Sequence, residues 1–521
     1  MLGTHAAQFV ATRPLQKTMW SRASITWVAE CLQECQNDHH QSCGWATPST
    51  MPTRVIHFPR TDSNRARVVD TANGASHPYI ALSYCWGGAE RNKLQTTRGS
   101  LADRQRGFSI SELPRTIRDA VTVARDIGVQ YLWVDSLCIA QDDNYEKERE
   151  MGKMGQVYAG ALLTISASKA SRCDEGFLQD RDLKAEYGGE VYKFPWRGGN
   201  AQDCEGTGSF VFSSEREFHR LETEPVDKRA WTMQEHRLSQ RLLRFGKGQL
   251  VWKCQESVEV DGGTADGPPP RIMMSERKDQ LLCDWTDVVT EYTSRCISRA
   301  EDRLPAVAAI ARQFSHWLGC ESRDYLAGIW KQGLPLMLLW FIPEHDGPQT
   351  IAVSSNNADM DPSMGFPTWS WHLAPRGVQF GETFTMSLND SRHLTVEEFG
   401  VEVKSPDAPF GMVKSGYLVV QGFLHRFLWT GVSFCCIEPG DLDGIVSIDA
   451  KWDVKGDMVS GTFYCLEVVK VGWASLGLIL KGVAEDNFHR VGYFESAMNE
   501  GLGGDESAHW LRASRRKIRL Q

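Results

Sequence analysis

The stretch LPRTIRDAVTVARDIGVQYLWVDSLCI, residues 113–139, decides the fold. Its first part carries Ile117, Ala120, Val121, Ala124 and Ile127 at helical spacing, which makes one apolar face. Pro114 suits the first turn of such a helix and Gly128 suits its end. The following VQYLWVDSLCI reads as a buried strand. Upstream, YIALSYCWGG (79–88) is a second short buried strand that ends in glycines. Strand, helix, strand with a tight second junction predicts a βαβ unit with parallel strands.

Working outward, EKEREMGKMGQVYAGA (146–161) predicts a helix and LLTISAS (162–168) a strand. The glycine- and charge-rich 171–225 reads as an insertion. RAWTMQEHRLSQRLL, from Arg229, predicts one further helix, and LRFGKGQLVWKC (243–254) a pair of strands. DGGTADGPPP (261–270) is a linker by composition. The chain after it is first helical, then built of short, glycine-spaced strands that predict an antiparallel sandwich or barrel. The expected organisation is an N-terminal leader and helix (1–50), an α/β domain (51–260, motifs at 79–254), a linker and helical region (261–345), a β-rich domain (346–500) and a basic tail (501–521). The tail reads as a solvated end.

The chain of 521 residues exceeds one ordinary core. With 57 basic and 66 acidic residues it has no chain-wide electrostatic footprint for nucleic acid. No window approaches the ~20 apolar residues of a transmembrane helix, and a cytoplasmic location is expected. Fourteen cysteines scattered through apolar runs suit reduced thiols, not a disulfide scaffold. One cluster is denser: CLQECQNDHHQSC, with Cys31, Cys35, His39 and Cys43. Such ligands suit tetrahedral zinc. The spacing is not a standard finger, however, and no second half-site is evident. The segment is therefore read as a packed helix with inert thiols, not as a metal site.

The P-loop, the dinucleotide glycine fingerprint, HExxH and GxSxG are all absent from the sequence. What remains is a set of residues at strand ends, where ligands bind in open α/β sheets: Ser83, Tyr84 and Trp86 after the first strand, Asp135 and Ser136 after the second. Glu235 stands out differently. Read as one helix, Trp231, Glu235, Leu238 and Leu242 form a stripe whose other members are apolar. A carboxylate there is either a buried ion pair, with Arg229, Arg237 or Arg241 as partner, or a catalytic group.

YIALSYCWGG, the LPRTIRDAV…YLWVDSLCIAQDD block and RAWTMQEHRLSQRLLRF, in this order, resemble the fungal heterokaryon incompatibility (HET) domain. Ala230 stands where glycine is usual, and Cys85 fills a variable slot. The resemblance implies non-self recognition and a trigger of programmed cell death, with self-assembly and protein partners. HET domains are in turn remotely similar to TIR domains, which implies a TIR-like or flavodoxin-like parallel sheet. TIR domains have a strand ending in Ser-Phe/Tyr, like Ser83-Tyr84. They also have a Trp-Cys-x-x-Glu helix, which Trp231–Glu235 matches with Thr232 in place of cysteine. The resemblance implies Glu235 as the catalytic carboxylate of an NAD+ glycohydrolase, with NAD+ as substrate and no firm cofactor. Ser83, Tyr84, Trp86 and Trp231 would then line the nucleotide site and Asp135 would assist. The alternative is a non-enzymatic assembly module that acts through partners.

Overall fold

The computed structural model describes residues 16–43, 51–60, 64–71, 76–88, 94–183, 191–197, 207–213, 223–264, 277–343, 366–375, 377–381, 391–436, 448–454, 459–471, 474–497 and 515–521. The chain divides into two compact units, Met1–Arg271 and Ile272–Gln521. The 1–15 part of the expected leader, 265–270 of the linker and 501–514 of the tail lie outside the described residues.

The first unit is built on a ten-stranded sheet. Its strands in chain order are β1 (Arg54–His57), β2 (Arg65–Asp70), β3 (Ile80–Ser83), β4 (Phe108–Ser109), β5 (Tyr131–Trp133) and β6 (Leu163–Ser166). A separate hairpin, β7 (Val191–Arg197) with β8 (Thr207–Ser213), occupies the predicted insertion. The sheet continues with β9 (Arg241–Phe245), β10 (Leu250–Cys254), β11 (Val258–Val260) and β12 (Gly263–Thr264). Across the sheet the order is β12-β11-β10-β9-β6-β3-β5-β1-β2-β4. The central four, β9-β6-β3-β5, are parallel, and the flanks are antiparallel. Every residue of β3 and β6 is buried, as expected of parallel strands covered on both faces.

The helices are α1 (Arg22–Asn37), α2 (His40–Cys43), α3 (Arg98–Arg106), α4 (Arg115–Ile127), α5 (Asp135–Cys138), α6 (Asn144–Met151), α7 (Met154–Gly160) and α8 (Ala230–Leu238). The predicted βαβ unit is present: β3 and β5 are parallel, and α4 lies between them in sequence. Gly128 ends α4 at φ 92°, a left-handed conformation that a side chain would strain. From β5 the chain crosses back to pair β6 with the other side of β3. The connection direction thus reverses at β3, and the carboxyl ends of β3 and β6 flank the switch point at which open α/β sheets bind ligands.

Three sequence expectations differ from the structure. The predicted helix at 146–161 is two helices, α6 and α7, broken at Gly152–Lys153. The predicted helix from Arg229 through Leu243 ends at Leu238, and Arg241–Phe245 is a strand held between β6 and β10. Sheet pairing thereby overrides a helical apolar stripe. The packed helix expected over CLQECQNDHHQSC, residues 31–43, breaks after Asn37 into α1 and α2, and α1 buries Val28, Cys31 and Cys35 in the core of the first unit.

The second unit opens with helices Lys278–Thr293 and Ala308–Leu318, in which Trp285 and Phe314 meet edge to face at 5.2 Å. Its nine-stranded sheet is antiparallel except for one pair. The 17-residue strand Val413–Trp429 pairs with Arg515–Leu520 through Leu418–Phe423 and with Gly461–Val471 through Leu424–Trp429. Ala474–Ala484 and Asn487–Ala497 complete the circuit, so the pairings close on themselves as in a barrel. The end of the basic tail is therefore not a solvated end. Residues 515–520 are a strand of this sheet, with Ile518 and Leu520 buried. Among the described residues no helix is long and apolar enough to cross a membrane.

Candidate functional site

α8 packs against β3 and α7, which carries Glu235 to the carboxyl end of β3. Glu235 is 4% exposed. Its carboxyl group meets the hydroxyls of Ser83, the last residue of β3, and Tyr158, from α7. Ser83 Oγ also lies 3.2 Å from His236 Nε2. With Ser83 donating to Glu235, His236 Nε2–H donates to Ser83, giving a chain of polar contacts from a half-buried imidazole to a buried carboxylate. Tyr158 has one hydroxyl proton, which it shares between Glu235 and the Leu82 carbonyl at 3.2 Å.

Asp135 opens α5 immediately after β5. It accepts the Trp86 indole N–H at 2.9 Å and the Ser136 backbone N–H at 2.6 Å. Trp86 is thereby fixed over the strand ends while remaining half-buried. Arg229, the residue preceding α8, donates to the Tyr84 carbonyl, and its positive charge acts on both Glu235 and Asp135.

Burial dominates the electrostatics. It pushes the Glu235 carboxyl from its ordinary 4.5 up to about 7, against the attraction of Arg229 and the hydrogen bond from Ser83, while the negative charge of Asp135 adds to the rise. Asp135 is also raised, first by burial, with Arg229 opposing. The site thus holds a carboxyl poised near neutrality beside a second carboxyl, with one arginine serving both.

The structure brings together Glu235, Ser83, Asp135 and Trp86, all expected from sequence. Tyr84 sits differently: its ring is enclosed in the core at 2% exposure, and its hydroxyl binds Ser136 Oγ at 2.8 Å. Trp231 is half-buried against the core, one helical turn before Glu235. Of the arginines considered as partners, Arg229 acts on Glu235, whereas Arg241 points its Nε at Cys35 Sγ, 3.2 Å away. Sequence reasoning missed His236 and Tyr158. His236 follows Glu235 directly, and only the break at Leu238 and the docking of α8 turn it toward Ser83. A separate cavity of about 190 Å³ is lined by Arg60, Arg125, Val129 and Gln130, at the entry to β5 and away from Glu235.

A second convergence lies elsewhere in the unit. Ligand atoms of Cys35, His39, Cys43 and Cys254 all stand within 4.8 Å of one another. Cys31, expected from sequence to share this group, is not a member, and Cys254, at the end of β10, takes the fourth place.

Residues 79–235 match the family model described as heterokaryon incompatibility protein (HET), so this stretch of the first unit is a heterokaryon incompatibility domain. The matched span begins at the residue before β3 and ends on Glu235. The chain is similar to heterokaryon incompatibility protein 6, OR allele, of Neurospora crassa, at 32% identity over 89 residues, which is 16% of this chain and 13% of that protein. No solved structure matches.

Proposed function

We propose that the first unit is a TIR-like NAD+ glycohydrolase whose activity drives an incompatibility response ending in cell death. The observation that carries this reading is Glu235: a carboxyl 4% exposed, raised to about 7, at the carboxyl end of the strand where the connections reverse. The parallel order β5-β3-β6-β9 corresponds, in sequence order, to the 2-1-3-4 arrangement of flavodoxin-like sheets, which supports the TIR-like reading.

The chemistry needs one carboxylate. In NAD+ the ribose C1′ bears a cationic pyridinium. When the C1′–N bond breaks, the electron pair stays on the ring nitrogen and nicotinamide leaves neutral, without a proton. Water adds to C1′ and loses its proton, giving ADP-ribose. Glu235 as carboxylate stabilises the oxocarbenium-like transition state and accepts that proton. Ser83 and His236 hold Glu235 in place. Trp86, fixed by Asp135, presents an aromatic face for the cationic ring. Because Tyr84 is enclosed, stacking falls to Trp86. Deep burial means that NAD+ must displace half-buried side chains at the rim, and assembly of several copies in the cytoplasm would supply that rearrangement.

The same burial favours a second reading, in which α8 is a rigid element of a non-enzymatic module that acts by recruiting partners. Expression of the full chain and of Glu235→Gln in a fungal host separates the two. The enzyme reading expects loss of cellular NAD+ followed by death, with neither in the variant. Death at undiminished NAD+ in both would establish the module instead.

A further inference from the structure

The Cys35, His39, Cys43 and Cys254 group is built in a way that packed thiols do not require. In an unbroken helix Cys35 and Cys43 would be ~12 Å apart along the axis, too far to share an ion. α1 instead ends at Asn37, and the chain turns through Asp38 and His39 before α2. This break brings both sulfurs and the imidazole to one point, where Cys254 arrives from β10. In a tetrahedral site with Zn–S bonds of about 2.3 Å, sulfur ligands stand about 3.8 Å apart. All four ligand atoms here lie within 4.8 Å of one another, and His39 Nδ1 is 3.5 Å from Cys254 Sγ.

The surroundings suit thiolates. Cys254 Sγ receives the backbone N–H groups of Glu256 at 3.4 Å and Ser257 at 3.3 Å, the turn geometry of a metal knuckle. Cys35 Sγ receives the Arg241 guanidinium at 3.2 Å, and Arg241 is 1% exposed. Three thiolates, a neutral imidazole and a divalent cation carry one net negative charge, which the buried arginine balances.

We propose that Cys35, His39, Cys43 and Cys254 bind a zinc ion. Four protein ligands complete the tetrahedron and leave no position for substrate, so the ion is structural. On binding, the three thiols release their protons to solvent, no electron is transferred, and His39 coordinates through Nδ1. The ion ties α1 and α2 to the β10–β11 turn. It also reaches toward the candidate site: Gln255, next to Cys254, donates to the Ser239 carbonyl at 3.4 Å, and Ser239 Oγ caps the Glu235 carbonyl at 2.6 Å. The proposal is independent of whether Glu235 cleaves NAD+.

The test is the metal content of the full chain, purified without a polyhistidine tag or added metal, followed by exchange with Co2+. The expected result is about one zinc per chain, and a cobalt form with sulfur-to-metal charge-transfer bands and strong tetrahedral visible bands. Cys254→Ser should lose the metal and Cys31→Ser should keep it. If Cys254→Ser fails to fold, His39→Cys serves: it preserves a tetrahedral set and should retain zinc with an altered cobalt spectrum. A wild-type chain that carries no zinc and gives no thiolate–cobalt bands would overturn the proposal. So would a disulfide among Cys35, Cys43 and Cys254, or metal that persists unchanged in Cys254→Ser.

Discussion

Replacing Glu235 by Gln keeps volume and removes charge, and the structure sets the sign and size of the effect on stability. The carboxyl titrates at about 7 in the fold against 4.5 ordinarily. Between those pH values the folded protein holds a proton that the unfolded chain has released, so stability falls as pH rises through the window. The interval corresponds to at most ~3 kcal/mol. Gln cannot ionise and loses this slope. At pH 5 the two proteins should therefore be nearly equally stable. At pH 8 the variant should be the more stable, by up to ~3 kcal/mol, or several degrees in melting temperature. Arg229 keeps the Tyr84 carbonyl as a hydrogen-bond acceptor and Asp135 as a neighbouring charge in the variant, so it is not stranded. Urea unfolding of the full chain at a series of pH values measures the difference directly. A variant destabilised by several kcal/mol at pH 8 would refute the reasoning, because it would mean that pairing with Arg229 outweighs burial and that Glu235 is a structural residue.

Other consequences are as direct. NAD+ cleavage, which requires the Glu235 carboxylate, should rise with pH through about 7 in a single step, and a flat profile across that range would exclude this carboxyl as the acting base. Asp135→Asn removes a charge that raises Glu235 and should move that step to lower pH, whereas Ser83→Ala removes a hydrogen bond that lowers it and should move the step higher. Rate profiles of both variants check this pair, and shifts in the same direction would contradict it. In the second unit, Ile518→Ala should destabilise the barrel by about 2–5 kcal/mol, read as a lower urea midpoint. An unchanged midpoint would mean that residues 515–520 do not hold the sheet together.

The parallel core was legible because its signals are local: the apolar face of α4, bounded by Pro114 and Gly128, and the short buried runs on either side. What the sequence hid was settled by tertiary pairing. Leu238 and Leu242 continue a helical stripe, yet β6 and β10 claim Arg241–Phe245 as a strand. In RRKIRL the alternation of Ile518 and Leu520 is a strand signal, masked by the surrounding charge. Glu235 was conspicuous as a carboxylate among apolar neighbours. His236 and Tyr158 carried no such contrast, and they join the site only because α7 and α8 pack together. Cys254 had no cysteine partner nearby in sequence, and only the sheet delivers it to Cys35 and Cys43.

The most direct test is release of nicotinamide from NAD+ by the purified full chain, dilute and clustered, alongside Glu235→Gln shown to be folded by its melting curve. The wild type is expected to turn over NAD+, faster on clustering, and the folded variant not at all. Turnover that survives in Glu235→Gln, or none from clustered wild type, would contradict this expectation.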